Sequence, residues 1–419
     1  MHTKVGWVLS GPMRGLQTAV NLTLTSTHTL KVDTCKMEPS LDDRLKQFWE
    51  LESLGVMNNE SSVYEKFVQE IRFDGQRYEV SLPWKEHHPP LQDHLELCRG
   101  RLTSLLRRLR QTPELLLEYN SIIQDQLSKG IIEIVPHPSR GESDRIHYLP
   151  HHGVVRLDKA TSKLRIVYDA SARLSGPSLN DCLYTGPKFC QSIFEILLRF
   201  RLQQVALTGD IEKAFLMVAV NKLDRDSLRF LWIANPLDVE NPETITLRFA
   251  RVVFGVSASP FLLNATINHH LETYRDVDPE FVDEFLSSIY VDDLVTGACD
   301  VESSYKLYVK SRLRLAAAGF KLRKFITNSA ELRGHIRRSE EISTPTEKPS
   351  TQAQEPSASA ESMMTTIAEE DQSYAKCSLK VNISTDDEPD VCKVLGVRWK
   401  VTDDTLQFDL NEIRQVMED

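Results

Sequence analysis

Asp292 and Asp293 stand side by side between two short apolar runs, and no other feature narrows the choice of fold as much. Phe285, Leu286, Ile289 and Val291 read as a strand, and Leu294, Val295 and Thr296 resume it before Gly297. The two carboxylates then form the two-residue turn of a β-hairpin. Such turns need positive φ and favour Gly or Asn, so an Asp-Asp pair there is locally costly. A divalent cation would compensate for that cost, whereas an ordinary acidic turn has no such partner.

A third carboxylate lies where a cation site would need it. Val205, Ala206 and Leu207 make a buried-strand pattern running into Asp210, followed by Ile211-Glu212-Lys213-Ala214-Phe215. An acid at one strand end, facing a strand pair that carries two more, can hold Mg²⁺ through oxygen ligands and leave positions for substrate phosphates. Two-metal sites of this kind run phosphoryl transfer. Asp210 alone would read as a cap or a turn former. The combination points to chemistry.

These segments resemble a known family. Asp210-Ile211-Glu212-Lys213-Ala214-Phe215, then Phe254-Gly255-Val256-Ser257-Ala258-Ser259-Pro260-Phe261, then Tyr290-Val291-Asp292-Asp293 are similar in order and spacing to the A, B and C motifs of a reverse transcriptase palm. Upstream, Tyr148-Leu149-Pro150-His151-His152-Gly153-Val154-Val155, the run from Lys163-Leu164-Arg165 to Ala172, and Ser178-Leu179-Asn180-Asp181 resemble the fingers of the BEL/Pao class of LTR retrotransposon polyproteins. Gly319-Phe320-Lys321-Leu322-Arg323-Lys324-Phe325 and Leu395-Gly396-Val397-Arg398-Trp399 resemble the two segments that follow the palm. The resemblance covers most of the chain from about Leu41 onward.

The resemblance implies an α+β right-hand polymerase fold with fingers and palm, the thumb mostly absent, and a palm built as an antiparallel sheet backed by helices. It implies RNA-directed DNA polymerisation, in which a primer 3′ hydroxyl attacks the α-phosphate of a dNTP on an RNA or DNA template. Two Mg²⁺ ions, or Mn²⁺, would be held by Asp210, Asp292, Asp293 and the backbone carbonyl of Ile211. Lys324 falls where a lysine is thought to protonate the leaving pyrophosphate, and Phe215 where an aromatic ring meets the sugar and excludes a 2′ hydroxyl. Gly255 lets the backbone approach template and nucleotide closely. Phe254 stands where many retroviral enzymes carry Gln. Lys163 and Arg165 share one strand face by alternation, so Arg165 can meet a triphosphate bidentately while Lys163 or Lys159 adds a point charge. Their plain reading is a solvated surface.

Composition fits an intracellular enzyme fragment, and the resemblance implies a place in the cytoplasm or within retrotransposon particles. The 419 residues, 41% of them hydrophobic, can bury a large core. Seven cysteines without Cys-x-x-Cys spacing read as free thiols, and no apolar run reaches the length of a membrane span. A net charge of −10 is unexpected for a nucleic-acid binder, but residues 334–393 hold 12 acids and 6 bases and so supply −6 of it. Elsewhere arginines and lysines cluster: Arg99, Arg101, Arg107, Arg108 and Arg110 on one helix, and Arg312, Arg314, Lys321, Arg323 and Lys324 past the acidic hairpin.

Five regions follow. Residues 1–38 resemble the end of a retropepsin-like protease through Gly6-Trp7-Val8-Leu9-Ser10-Gly11, without an Asp-Thr-Gly or Asp-Ser-Gly triplet. Residues 39–130 read as a helical connector: Ser40 caps a helix carrying Leu41, Leu45, Phe48 and Trp49, Ser81-Leu82-Pro83-Trp84 reads as a strand, and helix resumes over 91–129 with a break near Pro113. Residues 131–333 hold fingers and palm, including a strand over Ile131-Ile132-Glu133-Ile134-Val135 and a helix opened by Pro260. His151 and His152, adjacent on a strand, point to opposite faces and cannot chelate one ion together. Residues 334–391, rich in Ser, Thr, Pro and Glu, read as an acidic disordered insertion, and 392–419 as the end of the palm and a truncated thumb start. A rival expectation is a catalytically silent, element-derived fragment that only binds nucleic acid or a protein partner.

Overall fold

The computed structural model describes residues 2–3, 6–7, 57–136, 145–156, 163–236, 238, 242–343 and 391–407. Within them the chain is a mixed α+β protein of small, mostly antiparallel sheets and 11 helices. After a helix at Met57–Glu70 come α1 (Leu95–Leu109) and α2 (Pro113–Ser128). Pro113 sits in the first turn of α2, where its missing N–H has no partner to lose, so the expected break near it is a helix start. Then come β1 (Ile132–Ile134) and the hairpin of β2 (His151–Arg156) and β3 (Lys163–Tyr168), in register from His151 opposite Tyr168 to Arg156 opposite Lys163.

The sheet that matters for function follows. Helix α3 (Ile193–Leu202) leads into β4 (Val205–Ile211). Strand β5 (Arg229–Ile233) pairs with β6 (Thr244–Phe249), which in turn pairs with β1, in a separate sheet. Helices α4 (Ser259–Glu272) and α5 (Pro279–Ser288) precede β7 (Ile289–Tyr290) and β8 (Asp293–Ala298). Helix α6 (Val301–Ala317), β9 (Leu322–Thr327) and α7 (Ala330–Ser343) complete the region. The four strands order as β7-β8-β4-β9, every pair antiparallel. Last come β10 (Val391–Val394), β11 (Val397–Lys400) and β12 (Thr405–Gln407), a three-stranded meander.

Period-two alternation in β4 builds both sides of this sheet. Val205 and Leu207 pack on one face against Tyr308 of α6 and Leu332 and Ile336 of α7. Ala206 points the other way, into a cluster of Ile196 and Phe200 from α3 with Cys392, Val394 and Trp399 from the C-terminal meander. A strand buried on both faces reads as an apolar run, which is why it is legible in the sequence. Close approach is enforced at Gly297: a Cβ there would lie 2.5 Å from the Val205 carbonyl oxygen.

Several expectations are corrected. Phe285 and Leu286 lie in α5, whose buried residues Phe281, Val282 and Phe285 follow helical spacing. The strand expected at Ser81–Trp84 lies earlier, at Tyr78–Val80, and Trp84 makes only an isolated bridge to Leu183; Pro83 cannot donate to a ladder. The region expected to be disordered from residue 334 begins inside α7, because Leu332 and Ile336 give that helix an apolar face to bury. The acidic turn is shifted by one residue: Tyr290 pairs with Asp293, so the turn is Val291-Asp292 and Asp293 belongs to the ladder. The Ser40 helix, Lys159, most of residues 1–38 and residues 344–390 lie outside the described residues, although His2–Thr3 and Gly6–Trp7 form a two-residue antiparallel pair. Among the described residues, no helix is long and apolar enough to cross a membrane.

Candidate active site

Strand register assembles the acidic site. Asp210 on β4 stands directly opposite Asp293 on β8, and Arg323 on β9 flanks Asp210 from the other side. Asp292 closes the turn, its carbonyl accepting the Ile211 amide at 2.9 Å. Ile211 is the last residue of β4 and is buried. Like charges directly opposite on neighbouring strands repel. The Asp293 and Asp292 carboxyls both shift upward: burial raises Asp293 to about 6, with Asp292 and Asp210 adding to the shift and Lys324 opposing it. Burial, then Asp210, raises Asp292.

Two backbone distortions aim the side chains. Val291 holds φ at 56°, a left-handed conformation that costs a β-branched residue about 1–3 kcal/mol. Its amide donates to the Cys190 thiol sulfur at 3.3 Å, which helps to hold the turn. Lys324 holds φ at 54° inside a register shift of β9 between Arg323 and Ile326. The bulge swings the Lys324 ammonium to 3.3 Å from Asp210 Oδ2, with Arg323 Nε at 3.8 Å from the same oxygen. Arg323 also pairs with Glu212 at 2.9 Å, as does Lys321 at 3.4 Å.

The carboxylates are thus brought to one end of the sheet without converging fully. Among the described residues, no three His, Cys, Asp or Glu side chains form a group that could hold a metal ion in this conformation. Coulomb repulsion and the Lys324 contact explain this, since Asp210 turns toward the cation it has. The donor set still suits a hard divalent cation: three carboxylates, two of them with pKa raised first by burial and then by neighbouring carboxylate charge.

Of the residues expected to bind nucleotide, Phe215 and Phe254 meet each other. Phe215, in the short helix Ala214–Met217, is buried, and its ring packs edge-on against exposed Phe254, centroids 4.5 Å apart. Gly255 holds φ at 98°, and a Cβ there would lie 2.4 Å from the Tyr168 carbonyl oxygen at the end of β3. Asn180 clamps this turn, donating to the Gly255 carbonyl at 3.1 Å and accepting the Ser257 amide at 2.8 Å. Arg165 is exposed on β3 opposite Val154. Lys163 opens the same strand, opposite Arg156, and its side chain lies outside the described residues.

The second basic cluster does not form one patch. Arg314 and Lys310 pair with Asp278, Arg312 donates to the Tyr308 hydroxyl, and Lys321 and Arg323 go to Glu212. His151 and His152 do face apart. His151 is buried, its Nε2 2.8 Å from the Leu231 carbonyl, and burial lowers its pKa to about 4; His152 is exposed. Sequence reading assigned no role to Cys190, Asn180 or Glu212. Their partners lie 101, 75 to 77, and more than 100 residues away, so no local pattern announces them. No protein-family model matches the chain, and no curated protein matches it.

Proposed function

We propose that this chain is the fingers and palm of a right-hand polymerase and catalyses RNA-directed DNA synthesis. The observation that carries the proposal is the strand register that sets Asp293 opposite Asp210 with Asp292 in the adjoining turn. Asp210, Asp292 and Asp293, with the Ile211 carbonyl, would hold two Mg²⁺ or Mn²⁺ ions. Bound there, the ions would activate the primer hydroxyl and clamp the transferring phosphate of the dNTP. Lys324, 3.3 Å from Asp210, sits at the edge of the site with protons to donate, as a leaving pyrophosphate requires. Phe215 presents a flat wall backed by Phe254, which leaves no partner for a 2′ hydroxyl.

Purified protein should extend a DNA primer on an RNA template with Mg²⁺ or Mn²⁺. Asp292→Asn or Asp210→Asn should abolish extension while leaving the melting transition in place, because size is kept and metal-binding charge is lost. Equal extension by wild type and Asp292→Asn would reject the assignment. One observation favours a second reading, a catalytically silent fragment that binds nucleic acid: Lys324 already neutralises Asp210, and the three carboxylates do not converge. Wild-type protein that binds template-primer yet never extends it would select that reading.

A further inference from the structure

We propose that the outer face of α1 docks the phosphodiester backbone of a single nucleic-acid strand. Cys98, Leu102, Leu105, Leu106 and Leu109 turn inward, and α1 lies against β2, β5 and α2. Arg99, Arg101, Arg107, Arg108 and Arg110 are all exposed. At about 100° per residue, Arg99 and Arg110 line one edge of the outer face, Arg101 and Arg108 the other, and Arg107 lies between them. Gly100, Thr103 and Ser104 share that middle strip with Arg107. Both hydroxyls fold back on the helix, Thr103 Oγ1 donating to the Arg99 carbonyl at 2.9 Å and Ser104 Oγ to the Gly100 carbonyl at 3.0 Å. A strand lying along that face meets guanidinium groups at both edges and at Arg107 in the middle.

Charge complementarity selects the occupant. The segment from Leu95 to Arg110 carries five arginines and one acid, Glu96, on a chain of net charge −10. Glu96 pairs with Arg99 at 2.5 Å, and Arg101, Arg107, Arg108 and Arg110 make no ion pair among the described residues. Helix-dipole stabilisation accounts for Arg107 and Arg108 in the last turn but not for Arg99 and Arg101, nearer the N-terminus. A face built for solubility alone tolerates lysine and mixes its signs; this one uses arginine only, whose planar fork grips phosphate bidentately. The inference rests on nucleic acid being a partner, as in the proposed function, and does not depend on catalysis.

Fluorescence anisotropy of the full chain with labelled oligo(rU), across a salt series, tests it. Replacing Arg101, Arg107, Arg108 and Arg110 together by Gln should weaken binding at low salt and reduce the slope of log K against log salt by about 3, at about 0.7 per lost phosphate contact. A control with the same charge change, Lys129, Arg275, Lys306 and Lys400 to Gln, should bind as wild type does, since those cations already pair with carboxylates. Unchanged binding by the arginine variant, with an unchanged melting temperature, overturns the proposal. So does an equal loss in the control, which would make the effect one of bulk charge. Displacement by polyglutamate as effective as by unlabelled oligo(rU) would assign the face to an acidic protein segment instead. Wild type that fails to bind oligo(rU) at low salt would sink the nucleic-acid partner itself, a different outcome from wild type and variant binding alike.

Discussion

Asp293 carries the site's clearest electrostatic signal. Its pKa rises to about 6 in the folded protein, against about 3.9 in an unfolded chain. The folded state therefore holds the proton more tightly, so this group's contribution to stability is full below about pH 4 and is lost as pH rises through about 6. Asp293→Asn should flatten that dependence, raising the melting temperature relative to wild type at pH 8 and changing it little at pH 4. Divalent cations need the ionised carboxylate, so Mg²⁺ should raise the wild-type melting temperature at pH 8 and fail to do so at pH 5. Thermal melts over a pH series, with and without Mg²⁺, check both. A Mg²⁺ effect that persists unchanged in Asp293→Asn would place the ion elsewhere.

At the scale of elements, the placement of Asp210 beside Asp293 depends on how closely β4 and β8 approach. Gly297 permits that approach, because any Cβ would strike the Val205 carbonyl at 2.5 Å and Gln203 Cβ at 3.0 Å. The nearest atom is backbone, which cannot swing aside as a long side chain can. Gly297→Ala should cost about 1–3 kcal/mol, the usual range for overpacking a tight contact. It should also reduce primer extension by parting the strands that hold Asp210 and Asp293. Urea unfolding gives the first quantity and extension assays the second. An unperturbed variant would mean that the two strands have slack. The β9 bulge works in the opposite sense, spending backbone strain at Lys324 to bring an ammonium beside Asp210.

At the scale of the whole molecule, the C-terminal meander rejoins the β7-β8-β4-β9 sheet from far along the chain. Trp399 is fully buried against Phe200, ring centroids 5.0 Å apart, and its indole N–H donates to Asp404. Arg201 of α3 grips the same Asp404 twice, at its carboxylate (2.5 Å) and its carbonyl (2.7 Å). A chain cut within residues 344–390 should therefore stay assembled, with a tag on either piece recovering the other. Trp399→Ala should weaken that association by about 3–5 kcal/mol, the range for truncating a buried large aromatic. Recovery of the two nicked pieces as separate species from the wild type would show that the meander contributes nothing to the four-stranded sheet.

By itself the sequence determined the elements whose signals are local. The apolar run of β4, the proline start of α4 and the alternation of β3 were all readable from neighbouring residues. So was the clustering of three carboxylates into two segments, because residue type and spacing are properties of the chain. Tertiary structure decided what depends on distant partners. Pairing of Tyr290 with Asp293 moved the turn to Val291-Asp292, and burial of Phe281, Val282 and Phe285 on one face made a helix of an apparent strand. Glu212, Asp210 and Asp278 drew apart a basic cluster that is contiguous only in sequence. Cys190 and Asn180 became supports of the two candidate subsites through contacts spanning 75 to 101 residues. Periodicity records what each residue must hide, whereas register and ion pairing record what it meets, and that is fixed only when the strands come together.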